Sequence, residues 1–323
     1  MLAATKRWAS GAWRGWQEFW FGEVDLLPIC VFRAALGTCL FFFVASRTGD
    51  LELFYTDRGF IPTSYAASVT FLSYQKSIFH YFDNLAFVTV CHYTLLVFLA
   101  MLALGLFTRV SSVASYLLCL MFVNRNPAVQ YGVDFISMFY LFYLMFCDAG
   151  ARFSMDAWLK GRHRTAQLAP SVSGVATSIA FRLMQIQLCI IYFYSGTAKL
   201  KGTRWWNGSA IWDVFTMEGL VRFDMSFLAY FPHLLVVFCY LTLLWEIYFP
   251  VLIWTRPFRN LLIVFGCIMH IGFGYFIQIP IFGAVMCSLY LLFMDPAQLR
   301  ALLEKGMGLA WKGIPRPRAG NSA

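Results

Sequence analysis

An all-α, polytopic transmembrane bundle of about eight helices, with both termini cytoplasmic, is the fold this sequence predicts. Three observations predict it. The 323-residue chain has a mean hydropathy of +0.66 and only 13% charged residues, against about 25% in soluble domains. Its apolar residues fall in blocks near the roughly 20 residues that a helix needs to cross a bilayer. Its basic residues fall in alternate loops. Aromatics reach 19%, as expected where rings sit at lipid-facing and interfacial positions.

The elements follow in order. Segment 1–25 places Trp8, Trp13, Trp16 and Trp20 at helical spacing beside Lys6, Arg7 and Arg14, the pattern of an amphipathic helix lying on a membrane. It does not read as a signal peptide, because its apolar part is broken and no small-residue cleavage site follows. Spans are expected at 27–46, 84–106, 110–124, 132–148, 180–200, 232–254, 260–278 and 280–294. The last two are separated only by Gln278–Ile279–Pro280, so they form a hairpin or one broken element. Loops 47–83 and 201–231 are long enough to hold structure. The domain reading is an interfacial helix (1–25), a transmembrane domain (26–295) and a basic cytoplasmic tail (296–323).

With the N-terminus inside, cytoplasmic segments carry 16 Lys and Arg and the opposite side carries eight, Arg47 and Arg125 among them. That bias sets the orientation. It places Lys199 and both long loops on the extracytoplasmic side of a cell membrane, most simply a bacterial inner membrane. The same pattern accounts for the net charge of +9 without nucleic acid. The nine Cys all lie within expected spans and no CxxC occurs. There they act as small apolar residues, and no metal or redox motif is read.

Charges inside spans are costly and usually face a cavity or a partner. Arg33, Asp134, Glu246 and His270 are such groups. Glu246 and His270 sit deep in apolar runs and are expected to form a polar pair, which either holds the bundle together or orients substrate and relays protons. Lys199 ends the apolar run "YFYSGTAKLKGTRWWNGSA" (192–210). Tyr192, Ser195 and Lys199 share one helix face, and Gly196 admits a neighbouring backbone or a flat ligand. Two readings compete for Lys199. It snorkels to the interface, or it is desolvated and acts as a general base. Lys201 is the better snorkeller. Trp205 and Trp206 are expected to anchor the following turn at the interface, with Asn207 or Ser209 capping a short helix at 210–220.

These motifs together resemble the HTTM domain, the membrane domain shared with vitamin K-dependent gamma-carboxylases. "IYFYSGTAKLKGTRWWNGSAIW" resembles its core signature. "FRAALG" (32–37), "YTDRGFIP" (55–62), "NPAVQYGVDF" (126–135), "CDAGARFSMDAW" (147–158), "WEIYFPVLIWTRPFR" (245–259) and "MHIGFGYFIQIPIF" (269–282) follow in the family's order. The match spans roughly residues 25–295.

The resemblance implies a lysine base that deprotonates a reduced quinone of the vitamin K type, with O2 as the oxidant and no metal. Gly196–Thr197–Ala198–Lys199–Leu200 matches the segment that carries that base. Catalysis would then fall to Lys199, Glu246 and His270. Substrate would be bound by Tyr192, Ser195, Gly196, Trp205, Trp206, Asp134 and Arg33. The carboxylases carry a large extracytoplasmic C-terminal region. Here only a short basic stretch follows Asp295, which argues against peptide gamma-carboxylation and for a quinol- or lipid-dependent oxidase or epoxidase. The SdpB-like branch of the same domain implies another role, an accessory to the maturation, export or immunity of a secreted antimicrobial peptide. The partners expected are membrane lipids, a quinone and, in that second role, a secreted peptide; no nucleic acid is expected.

Overall fold

The structure is a computed structural model that describes residues 2–69, 76–161 and 171–306. The basic triplet at 162–164 and the tail beyond Gly306 lie outside the described residues. Among the described residues the chain is helical throughout and forms no strand, only an isolated bridge between Asp25 and Val172. Ten longer helices carry the architecture: α1 (Leu2–Phe21), α2 (Leu27–Ala45), α3 (Leu85–Leu104), α4 (Thr108–Arg125), α5 (Gly132–Leu144), α6 (Val175–Lys199), α7 (Pro232–Leu252), α8 (Arg256–Phe276), α9 (Pro280–Leu289) and α10 (Pro296–Gly306).

Among the described residues five segments are long and apolar enough to cross a membrane: α2 with its continuation to Tyr55, α3, α6, α7 and α8. α5 and α9 are apolar but shorter. α4 has 18 residues, but Arg109, Asn124 and Arg125 near its ends lower its hydropathy, and it buries Ser111, Ser112 and Ser115. Segment 132–148, expected as one span, is helical only to Leu144, and α9 gives way to a 3-10 turn over Tyr290–Phe293. Short helical turns occupy both long loops, at Leu51–Tyr55 and Thr63–Val69 in one and at Thr203–Trp206 and Ala210–Phe215 in the other.

The helices meet as antiparallel neighbours, α2 on α3, α3 on α4, α6 on α7 and α8 on α9. The break after α8 is a hairpin. Gln278 takes a left-handed φ of 57° and Pro280 starts α9, where a missing N–H costs nothing. α1 is tied to the bundle near its end, where Arg182 Nε donates to the Phe19 carbonyl at 3.0 Å and its guanidinium stacks on the Phe19 ring. Trp13 and Trp16 remain exposed. At the other end of the chain, α10 packs Leu299 against Leu27, and Arg300 pairs with Asp25 at 2.9 Å.

Buried arginines clamp the loops to the helices. Arg33, fully buried, donates Nη1 to the carbonyls of Leu102 and Ala103 and Nη2 to that of Phe153. Gly105 makes room for it. The residue caps α3 with a left-handed φ of 70°, and a Cβ there would lie 2.6 Å from Arg33 Nη1. Arg125, also fully buried, donates to the carbonyls of Thr56 and Ile61 and to the Thr63 hydroxyl. Asn126 Nδ2 donates to the Phe54 carbonyl at 2.8 Å. Arg125 and Asn126, at the end of α4, thus hold the 54–61 stretch through its main-chain carbonyls.

Candidate functional site

α6 builds the site because three of its polar side chains lie on the face that packs against α7. At Gly196 the two helices come close. A Cβ there would sit 2.9 Å from Ile247 Cγ1 and 3.1 Å from Glu246 Cβ, so only glycine allows this approach without displacing α7. The close crossing brings Glu246 under the end of α6. Lys199 Nζ donates to Glu246 Oε1 at 2.8 Å and to Oε2 at 2.7 Å, and to Ser195 Oγ at 2.6 Å. Ser195 in turn donates to Glu246 Oε1 at 3.3 Å. The ammonium also lies 5.3 Å from the Trp205 ring centroid, within cation–π range. Lys199 keeps 23% of its side chain exposed and Glu246 only 10%. The pair therefore sits at a threshold, its carboxylate inward and its ammonium reachable.

A second group lies further into the bundle, about 10 Å along α6 at 1.5 Å per residue. The Tyr192 hydroxyl shares hydrogen bonds with His270 Nε2 at 2.8 Å and with the Tyr290 hydroxyl at 2.6 Å. Trp245 and Phe249 of α7 pack on the Tyr192 ring, with centroids 4.5 and 4.6 Å away. Glu246 and His270 thus do not bond to each other as the sequence suggests. Each finds its partner on α6, because α6 presents Lys199 to one and Tyr192 to the other.

An apolar groove of about 240 Å³ opens between α7, α8 and the Ala210–Phe215 turn. Phe238, Leu241, Thr242, Phe265, Met269 and Phe273 line it. Thr242 precedes Glu246 by one helical turn and Met269 adjoins His270 in the chain. The groove therefore runs along the helices that carry both polar groups.

The remaining expected site residues are placed as follows. Trp205 covers Lys199, whereas Trp206 is exposed and donates Nε1 to the Leu200 carbonyl at 2.7 Å. The helix expected at 210–220 ends at Phe215. Its N-cap, Ser209, makes no side-chain cap, and Asn207 Oδ1 instead accepts from the Ser209 N–H. Asp134 and Arg33 bond elsewhere. Both Asp134 oxygens take Arg47 at 3.0 Å, and Oδ2 also accepts from the Tyr131 N–H at the start of α5. Arg33 is the carbonyl clamp described above. Sequence reasoning missed Tyr290, and it read Arg47 and Arg125 only as loop charges. Among the described residues no group of three or more His, Cys, Asp or Glu gathers into a metal-binding set. Comparison with protein-family models, with curated proteins and with solved structures gave no match.

Proposed function

We propose that this chain is a multi-pass membrane protein of about eight spans, with both termini cytoplasmic, that takes a proton from a lipidic, quinol-like hydroxyl at Lys199–Glu246. The ion pair carries this reading. A Lys–Glu pair at 2.7 Å is net neutral, and its protons belong to the pair as a unit. On accepting one more proton it becomes an ammonium beside a carboxylic acid, with net charge +1. That charge is matched by the substrate oxyanion formed in the same step. Ser195 holds the two members in register. Trp205 lies over the ammonium at cation–π range, and a low surrounding dielectric strengthens the attraction of the ammonium for an anion. Tyr192, His270 and Tyr290 provide a chain of hydrogen-bonding groups along which a second hydroxyl of a ring substrate can be held.

The residues present fit a reduced quinone of the vitamin K type. The groove offers aromatic and aliphatic walls for a ring or chain, and Lys199–Glu246 offers the proton acceptor. Such a molecule, when bound, supplies the reducing equivalents for reaction with O2. The chain's own groups bind it, orient it and take the proton. Membership of the HTTM domain family rests on the ordered motifs, and the orientation rests on the loop charges.

The test is turnover with mass-spectrometric product analysis. Purified wild type, Lys199→Ala and Lys199→Arg are each given reduced menaquinone and air. The proposal expects an epoxide or other oxidised product above the uncatalysed background from wild type only. Folded proteins that all match background overturn it. The SdpB-like accessory role would then be tested by co-purifying a small secreted precursor peptide.

A further inference from the structure

At the end of α6 away from Lys199 lies a cleft that the proton-accepting site does not use. It measures about 320 Å³, within the range of small-ligand sites (about 300–1,000 Å³). Thr108, Arg109, Cys147, Asp148, Asp156 and Lys160 contribute its polar wall. Their charges are not equivalent. Asp156 is already engaged, accepting from the Phe107 and Thr108 N–H groups at 2.8 and 2.9 Å and from the Thr108 hydroxyl at 2.7 Å. It closes the start of α4 and leaves no strong acceptor for a ligand. Arg109 and Lys160 are exposed and belong to none of the ion pairs among the described residues. Asp148 is exposed too, and among the described residues its Oδ2 takes only a long bond of 3.3 Å from the Thr177 hydroxyl. The cleft therefore presents two cations outside those ion pairs, of which Lys160 also faces Asp156, and one exposed carboxylate.

The rim is apolar. Phe107, which adjoins Thr108, and Trp158 and Leu159, which lie between Asp156 and Lys160, are each more than half exposed. Phe107 holds this exposed position in a left-handed conformation with φ 43°, unfavourable for a side chain of its size. Exposed aromatics beside basic groups at the end of a membrane helix mark the headgroup level of a bilayer.

We propose that this cleft binds a phospholipid with a primary-amine headgroup, with Arg109 and Lys160 on the phosphate and Asp148 on the ammonium. The charge pattern selects among lipids. A purely anionic headgroup would place no cation against Asp148. A choline headgroup carries a cation without N–H donors, whereas a carboxylate is best met by donors. The inference rests on the chain spanning a membrane, and not on the role of Lys199.

The experiment uses the full chain in nanodiscs of equal parts phosphatidylethanolamine, phosphatidylglycerol and phosphatidylcholine, with retained lipid read by native mass spectrometry. Wild type is expected to retain phosphatidylethanolamine about tenfold over either competitor, the size of one charge-assisted contact. Asp148→Asn should remove the preference over phosphatidylglycerol and keep phospholipid bound. The Arg109→Gln/Lys160→Gln protein should lose retention. Free phosphoethanolamine should leave the bound lipid in place; if it displaces the lipid at equal concentration, the cleft serves a soluble ligand and the proposal fails. Equal retention of the three lipids by wild type, or preference for phosphatidylglycerol, overturns it without any variant. An unchanged preference in folded Asp148→Asn does the same. Lys199→Ala should leave the lipid preference intact whatever it does to turnover, so the two proposals fail separately.

Discussion

Arg33 and Lys199 are both cations at helix positions in an apolar bundle, and they are bonded in opposite ways. Arg33 is fully buried and gives its donors to the main-chain carbonyls of Leu102, Ala103 and Phe153. None of those acceptors can titrate or leave. Lys199 is partly exposed and gives its protons to a carboxylate and a hydroxyl, groups that can take up a proton or rotate away. The first arrangement locks a loop to two helices. The second, under the proposed function, changes its proton count. The contrast separates a clamp on main-chain carbonyls from a pair whose partners are side chains.

The largest effect expected from this contrast is at the clamps. Arg33→Ala leaves the Ala103 and Phe153 carbonyls without their donor and the Leu102 carbonyl with only the Gly105 N–H, at about 1–3 kcal/mol for each buried unsatisfied group. Thermal unfolding in detergent should show loss of the folded protein or a fall in Tm well beyond every other variant here. Arg125→Ala should behave alike. A clamp variant with wild-type Tm would break the distinction.

The ion pair should respond differently. Lys199→Ala alone leaves Glu246 unpaired, and removing one partner of a buried pair costs about 3–5 kcal/mol. Partial exposure and protonation of Glu246 should lower that to about 2 kcal/mol. The double variant Lys199→Met/Glu246→Leu removes both charges and should come within about 1 kcal/mol of wild type, since apolar replacement of a buried pair is often neutral. Turnover should be absent in both. A double variant as unstable as the single one would make the pair a structural strut.

Next in size is Gly196→Ala. Its added methyl meets Ile247 and Glu246 Cβ and should cost about 1–3 kcal/mol by overpacking. It also pushes Glu246 away from Lys199, so activity should fall further than stability.

The smallest effect sharpens the structural side. Burial pushes the Asp156 carboxyl up, but the Thr108 N–H and hydroxyl and the Phe107 N–H, aided by Lys160, outweigh it and hold the group below its ordinary value. A depressed carboxylate contributes stability above its unfolded pKa, about 3.9, and loses it as pH falls through the folded value. Asp156→Asn should therefore cost about 1 kcal/mol at neutral pH, as for a lost helix cap. The difference from wild type should shrink below about pH 4. A difference that is independent of pH would show that the charge is not what caps α4.

Much of the fold was legible because membrane helices announce themselves by length and hydropathy. The shared face of Tyr192, Ser195 and Lys199 was legible because it depends only on helical spacing. The close approach at Gly196 was legible from the same cause. The partners were not. Lys199 meets Glu246 across 47 positions and Arg47 meets Asp134 across 87, and such distances depend on how the helices pack. Tyr290 was invisible because one tyrosine near a helix end carries no signal until His270 and Tyr192 converge on it. Arg125 looked like an outer-loop charge because it ends an apolar helix, and only the folded loop at 56–63 shows why it is buried.

The most direct measurement is infrared difference spectroscopy on the protein in nanodiscs as reduced menaquinone is added without oxygen. If Lys199–Glu246 takes a proton from the hydroxyl, the carbonyl band of a protonated carboxylic acid should grow in wild type. It should be missing from Glu246→Gln and from Lys199→Met/Glu246→Leu. No change in wild type, or the same band in Glu246→Gln, would contradict the proposal and leave Lys199 as a lysine that merely ends its helix.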